Sequence, residues 1–528
     1  MYVLLFQTPG RSAVYAQSGL CATSHPLAAK VAIETLEAGG NAVDAAIAGA
    51  VLLGIAEPQM TGIGGDMFAL VKPAGSEDLI GLNASGRAPA GLDAATLRAE
   101  GLSAMPTHAG VSAVVPGAVA GFEMLSRDHG RRGLDAALAP AIRYAEEGIP
   151  VAPRVAHDWA GSAVHLQGAG RLHYLVNGEA PRVGETFRAP AQAEVLRRIA
   201  KDGARAFYEG EVAEDMAAAL AAHGGAHTEA DFAACAADYV TPLTASYRGT
   251  EVVELPPNGQ GAAALLLLRM LERYDAAALD PNGAERAHLE MEIAKLGYAA
   301  RNEVIADPDH MTMSVEDFVS DATVDRLVSM IDLERAGPFP VAPLGAMHRD
   351  TIYLTVVDRD RMAVSLIYSV FGSFGCGIAS EKFGILFNNR AAGFTLAEGH
   401  PNEAGGGKRP LHTIIPGVLR HAGRVLMPFG VMGGPYQAAG HMRFVSNVVD
   451  HGMGPQAAID APRVFFEDPA LKLESGYSDA VANRLDAMGH QIVRPESGIG
   501  GAQAIELRAD GVLVGGSDPR KDGIALGY

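Results

Sequence analysis

Residues 348–358 read His348-Arg349-Asp350-Thr351-Ile352-Tyr353-Leu354-Thr355-Val356-Val357-Asp358. A loop ends here and a strand opens at Thr351, a residue type that favours strands. Thr351–Val357 alternates, Asp358-Arg359-Asp360-Arg361 makes a turn, and Met362–Ser369 alternates again, which is a hairpin pattern. Upstream, residues 333–349 hold three prolines and read as a loop. A cut at Asp350–Thr351 would give Thr351 a free α-amino group with a pKa near about 8. That amine would stand beside its own hydroxyl as a general base, as in an N-terminal threonine nucleophile. An uncut Thr opening an ordinary strand is the other reading.

The sharpest change of texture along the chain also falls near residue 350. From 90 to 330 the pattern is mainly helical, with helical segments at 135–148, 190–201, 211–223, 261–274 and 284–305. Beyond 350, strands are predicted at 383–388, 413–419, 424–430, 490–494, 503–508 and 511–514, and helices at 436–450 and 478–488. Near the start, a helix over 26–38 is stopped by Gly39–Gly40. Asn41 caps a second, very apolar helix from Ala42 to Leu53, too short for a membrane and predicted to lie in the core. A glycine-rich turn, Thr61-Gly62-Ile63-Gly64-Gly65-Asp66, leads into strands at Met67–Val71 and Leu79–Leu82.

The 528 residues carry 42 basic and 61 acidic side chains, a net charge of −19. With 48% apolar residues the chain can bury a large core, so a disordered protein is excluded. An acidic chain without a basic run suits neither nucleic acid nor an anionic membrane surface. Nowhere do 18 apolar residues run together, so no membrane span is expected. Cys21, Cys235 and Cys376 are far apart and odd in number, which fits a reducing compartment and buried apolar roles. The apolar N-terminal segment lacks a basic region before it, so a cytoplasmic protein is expected.

Several motif readings fail. The turn at 62–65 is not G-x-G-x-x-G and stands between helix and strand, the wrong order for a dinucleotide site. The 17 histidines include no HExxH, and no His/Cys/Asp group shows ligand spacing, so no metal and no cofactor is expected. There is no G-x-S-x-G elbow. A second glycine cluster, Gly430-Val431-Met432-Gly433-Gly434-Pro435, follows a strand and precedes a helix. It reads equally as an oxyanion site of backbone N–H groups or as a plain turn.

Taken in order, these motifs resemble the γ-glutamyltransferase family of N-terminal-nucleophile hydrolases, over about residues 20–520. The resemblance is carried by Ser24-His25-Pro26-Leu27-Ala28, Gly39-Gly40-Asn41-Ala42-Val43-Asp44-Ala45-Ala46, Glu57-Pro58, Gly62-Ile63-Gly64-Gly65 and Val115-Pro116-Gly117. It continues through Thr351–Asp358, Gly384-Ile385-Leu386-Phe387-Asn388-Asn389, Lys408-Arg409-Pro410, Gly433-Gly434 and Asp460-Ala461-Pro462-Arg463. The resemblance implies an α/β fold, a four-layer αββα sandwich. It implies a precursor cut between Asp350 and Thr351 into a large-subunit region 1–350 and a small-subunit region 351–528, intertwined in one fold. Thr351 would be the nucleophile, Ser369 its supporting hydroxyl, Thr355 a further hydroxyl, and Gly433 and Gly434 the oxyanion hole.

Substrate recognition departs from the family pattern. The three positions that hold the α-amino group of a glutamyl substrate are Phe371, Arg390 and Gly393 here. The pair that holds its carboxylate is His412-Thr413, the second Thr of a Thr-Thr pair is Ile352, and the carboxylate-binding Arg falls near Ser85–Arg87. An ammonium would face Arg390 unfavourably. The pattern is similar to the branch that includes oxamate amidohydrolase and acylase-like members. Arg87 and Arg390, with Ser85, Phe371, His412 and Thr413, are the expected binding residues for a small carboxylate-bearing amide. A γ-glutamyl hydrolase or transpeptidase is the alternative, and an uncut binding protein a third reading. The expected partners are a small-molecule amide and the two processed subunits, with a dimer of heterodimers as a candidate assembly.

Overall fold

The computed structural model describes residues 10–338, 351–467 and 469–528. Two seven-stranded sheets lie face to face. One runs, from edge to edge, Ile524–Gly527, Leu20–Thr23, Ile352–Val357, Ala363–Ser369, Asp66–Lys72, Ile80–Ala84, Asp238–Val240. The other runs Val14–Ala16, Leu513–Ser517, Gly501–Leu507, Arg424–Met432, Gly417–His421, Thr250–Glu254, Leu243–Tyr247. Each sheet mixes strands from before residue 339 with strands from after residue 350.

Side-chain alternation separates the layers. Phe68, Leu70, Tyr353 and Ile367 of the first sheet meet Val253, Val418 and Val425 of the second in one apolar cluster between the sheets. Their neighbours in sequence, Met67, Ala69, Ile352, Leu354, Val356 and Leu366, turn the other way. They pack under helices Pro26–Glu37 and Ala42–Ala56, the second of which is buried on every side. On the far side, Val252, Leu419, Phe429 and Val431 pack under helices Gly261–Leu271, Ala284–Val304 and Tyr436–Val449. The result is helix, sheet, sheet, helix. Gly430 lets the ring of Tyr353 lie against the opposite sheet, since a Cβ there would stand 2.4 Å from the ring.

The hairpin from Thr351 is present. Asp358 closes its turn, accepting from the amides of Asp360 and Met362 at 2.9 and 3.0 Å. Its other carboxylate oxygen takes the Ala42 amide at 3.0 Å, which ties the turn to a helix start. Asn41 caps that helix in a capping box with Asp44.

Three expectations need correction. Residues 383–388 form no strand; the Phe387 amide bonds to Ile378 and the Asn388 amide to Gly64, leaving one isolated bridge, Ala379↔Leu386. The stretch 90–330 also holds three strands, Asp238–Val240, Leu243–Tyr247 and Thr250–Glu254; the first two are sheet edges with half-exposed faces, which lack a strong apolar signal. Cys21 and Cys376 are buried, but Cys235 is only partly so. Among the described residues no helix is long and apolar enough to cross a membrane.

Candidate active site

Antiparallel pairing sets the first part of the site. Ile352 faces Tyr368 and Ser369 faces Asp66, so Thr351, Ser369 and Asp66 stand in a row across three adjacent strand ends. All three are buried. The Thr351 hydroxyl donates to Ser369 Oγ at 3.4 Å, and Ser369 Oγ accepts the Phe371 amide at 2.9 Å. The glycine turn explains how the chain reaches this row. A Cβ on Gly65 would lie 2.4 Å from the Ser369 carbonyl, and one on Gly64 would lie 2.0 Å from the Leu386 carbonyl. Only glycine permits that approach, so the turn is a packing device rather than a phosphate cradle.

Asp66 is the hub of the second part. Its Oδ1 accepts the Gly86 amide at 2.9 Å. Its Oδ2 lies 3.2 Å from His412 Nε2 and accepts Arg390 Nε at 3.3 Å. Burial alone would raise the Asp66 carboxyl, but the His412 hydrogen bond, the Arg390 charge and the Gly86 amide outweigh it and hold it below its ordinary value. Burial, reinforced by Arg390, pushes His412 down to about 3, so it serves Asp66 as a neutral donor. Burial also lowers Arg390 to about 10, against the pull of Asp66, and leaves it cationic at neutral pH.

Arg390 is held on several sides. Its NH1 donates to Thr413 Oγ1 at 3.3 Å, and its guanidinium sits 4.3 Å above the Phe371 ring. Phe371 itself has φ +78°, a left-handed backbone that a bulky side chain rarely adopts. Asn388 fixes the main chain, accepting the Arg390 and Val114 amides at 3.0 and 3.1 Å. Arg390 NH2 is buried and has no hydrogen-bond partner among the described residues.

Gln260 links this cluster to the second glycine pair. Its Nε2 donates to the Thr413 carbonyl at 2.5 Å and to the Gly434 carbonyl at 3.3 Å, while Arg301 holds its Oε1 at 2.5 Å. Gly433 and Gly434 have φ +122° and +55° and end strand Arg424–Met432 just before helix Tyr436–Val449. Polar contacts thus run from Gly434 through Gln260, Thr413 and Arg390 to Asp66, beside Ser369 and Thr351. Such a set can hold a hydroxyl nucleophile, present backbone N–H groups to a developing oxyanion, and offer a fixed cation to a substrate anion.

The other expected residues are placed as follows. Ser85 Oγ meets Asn258 at 3.1 Å, and Asn258 donates to the Pro410 carbonyl at 2.9 Å, one loop away from His412. Arg87 is half-exposed and bonds to Asp307 at 3.3 Å and the Gly407 carbonyl at 3.0 Å, with no contact to Arg390. The Thr355 hydroxyl donates within its own sheet to the Val364 carbonyl, apart from the row of Thr351, Ser369 and Asp66. Asp350 lies outside the described residues. Asp66, Asn258, Gln260 and Arg301 were not singled out by sequence. The signal available for Asp66 was its place at the end of a glycine turn that opens a strand.

The gamma-glutamyltranspeptidase family model matches residues 28–528. The chain is 35% identical to the oxamate amidohydrolase proenzyme of Klebsiella pneumoniae, over 97% of this chain and 98% of that one. It is 33% identical to the glutathione hydrolase-like YwrD proenzyme of Bacillus subtilis, over 95% and 97%. Among solved structures it is similar to a cephalosporin acylase from Bacillus halodurans, with TM-score 0.91, 36% identity and 100% and 99% coverage. The chain belongs to the gamma-glutamyltranspeptidase family and is a threonine N-terminal-nucleophile enzyme of the amidohydrolase and acyltransferase type.

Proposed function

We propose that the protein is an autoprocessing amidohydrolase that cleaves a small carboxylate-bearing amide through an acyl-enzyme on Thr351. In the precursor, Thr351 Oγ attacks the Asp350 carbonyl carbon, the peptide C–N bond breaks, and the α-amine is freed on an ester. Water then hydrolyses the ester. In the mature enzyme the α-amine takes the Thr351 hydroxyl proton as Oγ attacks the substrate amide. The same proton leaves with the departing amine. Water adds to the ester and releases the carboxylic acid. Ser369, 3.4 Å from Thr351 Oγ, orients the hydroxyl, and the Gly433–Gly434 backbone serves the oxyanion.

The observation that carries the substrate reading is Arg390. It is a buried cation with an unpartnered NH2, and Asp66, the carboxylate beside it, already has its charge offset. A substrate carboxylate satisfies that NH2, whereas an α-ammonium finds no unpaired carboxylate in the cluster. Similarity to an oxamate amidohydrolase supports oxamate as the first substrate to try. Similarity to a glutathione hydrolase-like protein makes a γ-glutamyl amide the second. Arg87 is proposed as an outer contact that meets substrate from the exposed side. A reducing, cytoplasmic setting is proposed with it, in keeping with three unpaired cysteines. Steady-state turnover of oxamate against a γ-glutamyl anilide tests the reading. Turnover of oxamate is expected; turnover of the anilide alone overturns it in favour of the γ-glutamyl alternative.

A further inference from the structure

A second constellation lies outside the catalytic cluster. Helix Ala284–Val304 presents His288 and Glu292 one turn apart, so both point to the same face. His490, in the turn between helix Asp479–Ala487 and strand Gln491–Val493, meets them there. All three are buried, and their ligand atoms lie within 4.8 Å of one another. His288 Nδ1 and His490 Nε2 are 2.8 Å apart, and His288 Nε2 is 2.8 Å from the Asp332 carbonyl. A carbonyl can only accept, so the Asp332 contact places the His288 proton on Nε2. In the neutral imidazole that tautomer leaves Nδ1 as a lone pair, facing His490 Nε2. A backbone carbonyl that fixes the tautomer of a histidine is the outer-shell arrangement of metal-ligating imidazoles.

We propose that His288, Glu292 and His490 form a binding site for a divalent metal ion of the zinc class. Two imidazoles and a carboxylate suit a borderline cation better than magnesium or calcium, which prefer all-oxygen shells. Tetrahedral bonds of about 2.0–2.2 Å put ligand atoms about 3.3 Å apart, within reach by small side-chain rotations. A water fills the fourth position. Lys295 Nζ, 2.7 Å from Glu292 Oε1, is the cation that the metal displaces. The Gly337 amide holds the other Glu292 oxygen at 2.9 Å, and the Ala336 amide bonds to the Met488 carbonyl at 2.8 Å. The metal would therefore join a helix that precedes Thr351 to a turn that follows it, and would fasten residues 332–337 between them. Sequence spacing hid the site, because His490 lies 202 residues from His288.

The test uses the full-length protein freed of metal with a chelator. Titration with Co2+ is expected to give a saturable visible absorption band at one equivalent per chain, and Zn2+ is expected to displace it. His490→Gln and His288→Gln should each weaken binding by more than about a hundredfold, the upper end of what losing an outer-shell partner costs. Lys295→Ala should tighten it. Pulsed EPR of the Cu2+-loaded wild type counts bound imidazoles without any variant, and two are expected. No saturable band, fewer than two imidazoles, or binding that survives both histidine substitutions overturns the proposal. None of these readouts depends on processing or turnover, so they stand apart from the proposed function.

Discussion

Asp66 and Arg390 form an ion pair at 3.3 Å with both side chains fully buried, although 324 residues separate them in sequence. Asp66 belongs to the strand beside Ser369, and Arg390 to the short turn Arg390–Gly393, with its guanidinium over the Phe371 ring. The pair fixes a buried guanidinium beside the row of Thr351, Ser369 and Asp66.

Breaking the pair leaves an uncompensated buried charge. Asp66→Asn should destabilise the protein by about 3–5 kcal/mol, measured by urea unfolding at neutral pH. Arg390→Lys keeps the charge but loses the planar fork and the stacking on Phe371. It should raise KM for an anionic substrate more than it lowers kcat.

Ser369→Ala removes the hydroxyl that meets Thr351 Oγ and the acceptor of the Phe371 amide. Slower processing and slower turnover are expected together, each by about tenfold or more, equivalent to about 1.4 kcal/mol. A variant processed and active at wild-type rates would remove Ser369 from the mechanism.

Glu57 is buried, and burial pushes its carboxyl up to about 7, against opposing help from Lys521 and the Ser24 hydroxyl. A folded-state value above the unfolded one means the neutral acid is the favoured form. Its contribution to stability is complete below about pH 4.5 and is lost as pH rises through about 7. The loss is at most about 3 kcal/mol. Glu57→Gln should therefore flatten this part of the stability profile, and urea unfolding on either side of the window reads it.

Gly64→Ala places a Cβ 2.0 Å from the Leu386 carbonyl. The turn would have to move away from Asn388, which holds the Arg390 main chain. Destabilisation of at least about 1–3 kcal/mol is expected in thermal or urea unfolding, with loss of activity out of proportion to it.

Local signals in the sequence located the hairpin from Thr351, the Asn41 cap and the two glycine turns, because caps and turns depend on residues within a few positions of one another. The cluster of Arg390, His412, Thr413 and Phe371 came from motif order. What remained hidden was contact across long separations. Asp66 looked like the end of a turn, Gln260 stood unmarked just before the helical segment at 261–274, and residues 383–388 looked like a strand. Their partners are chosen by the fold. Arg87 bonds to the buried Asp307 and to the Gly407 carbonyl, partners that lie 220 and 320 residues away in sequence.

The proposed mechanism requires Thr351 to become an N-terminal nucleophile. Intact-mass spectrometry of freshly purified wild type beside Thr351→Ala reads this out. Two fragments that meet at Asp350–Thr351 in the wild type, and one uncut chain of 54.9 kDa in the variant, are the expected result. A single uncut chain in both, with amide hydrolysis retained by Thr351→Ala, would contradict it.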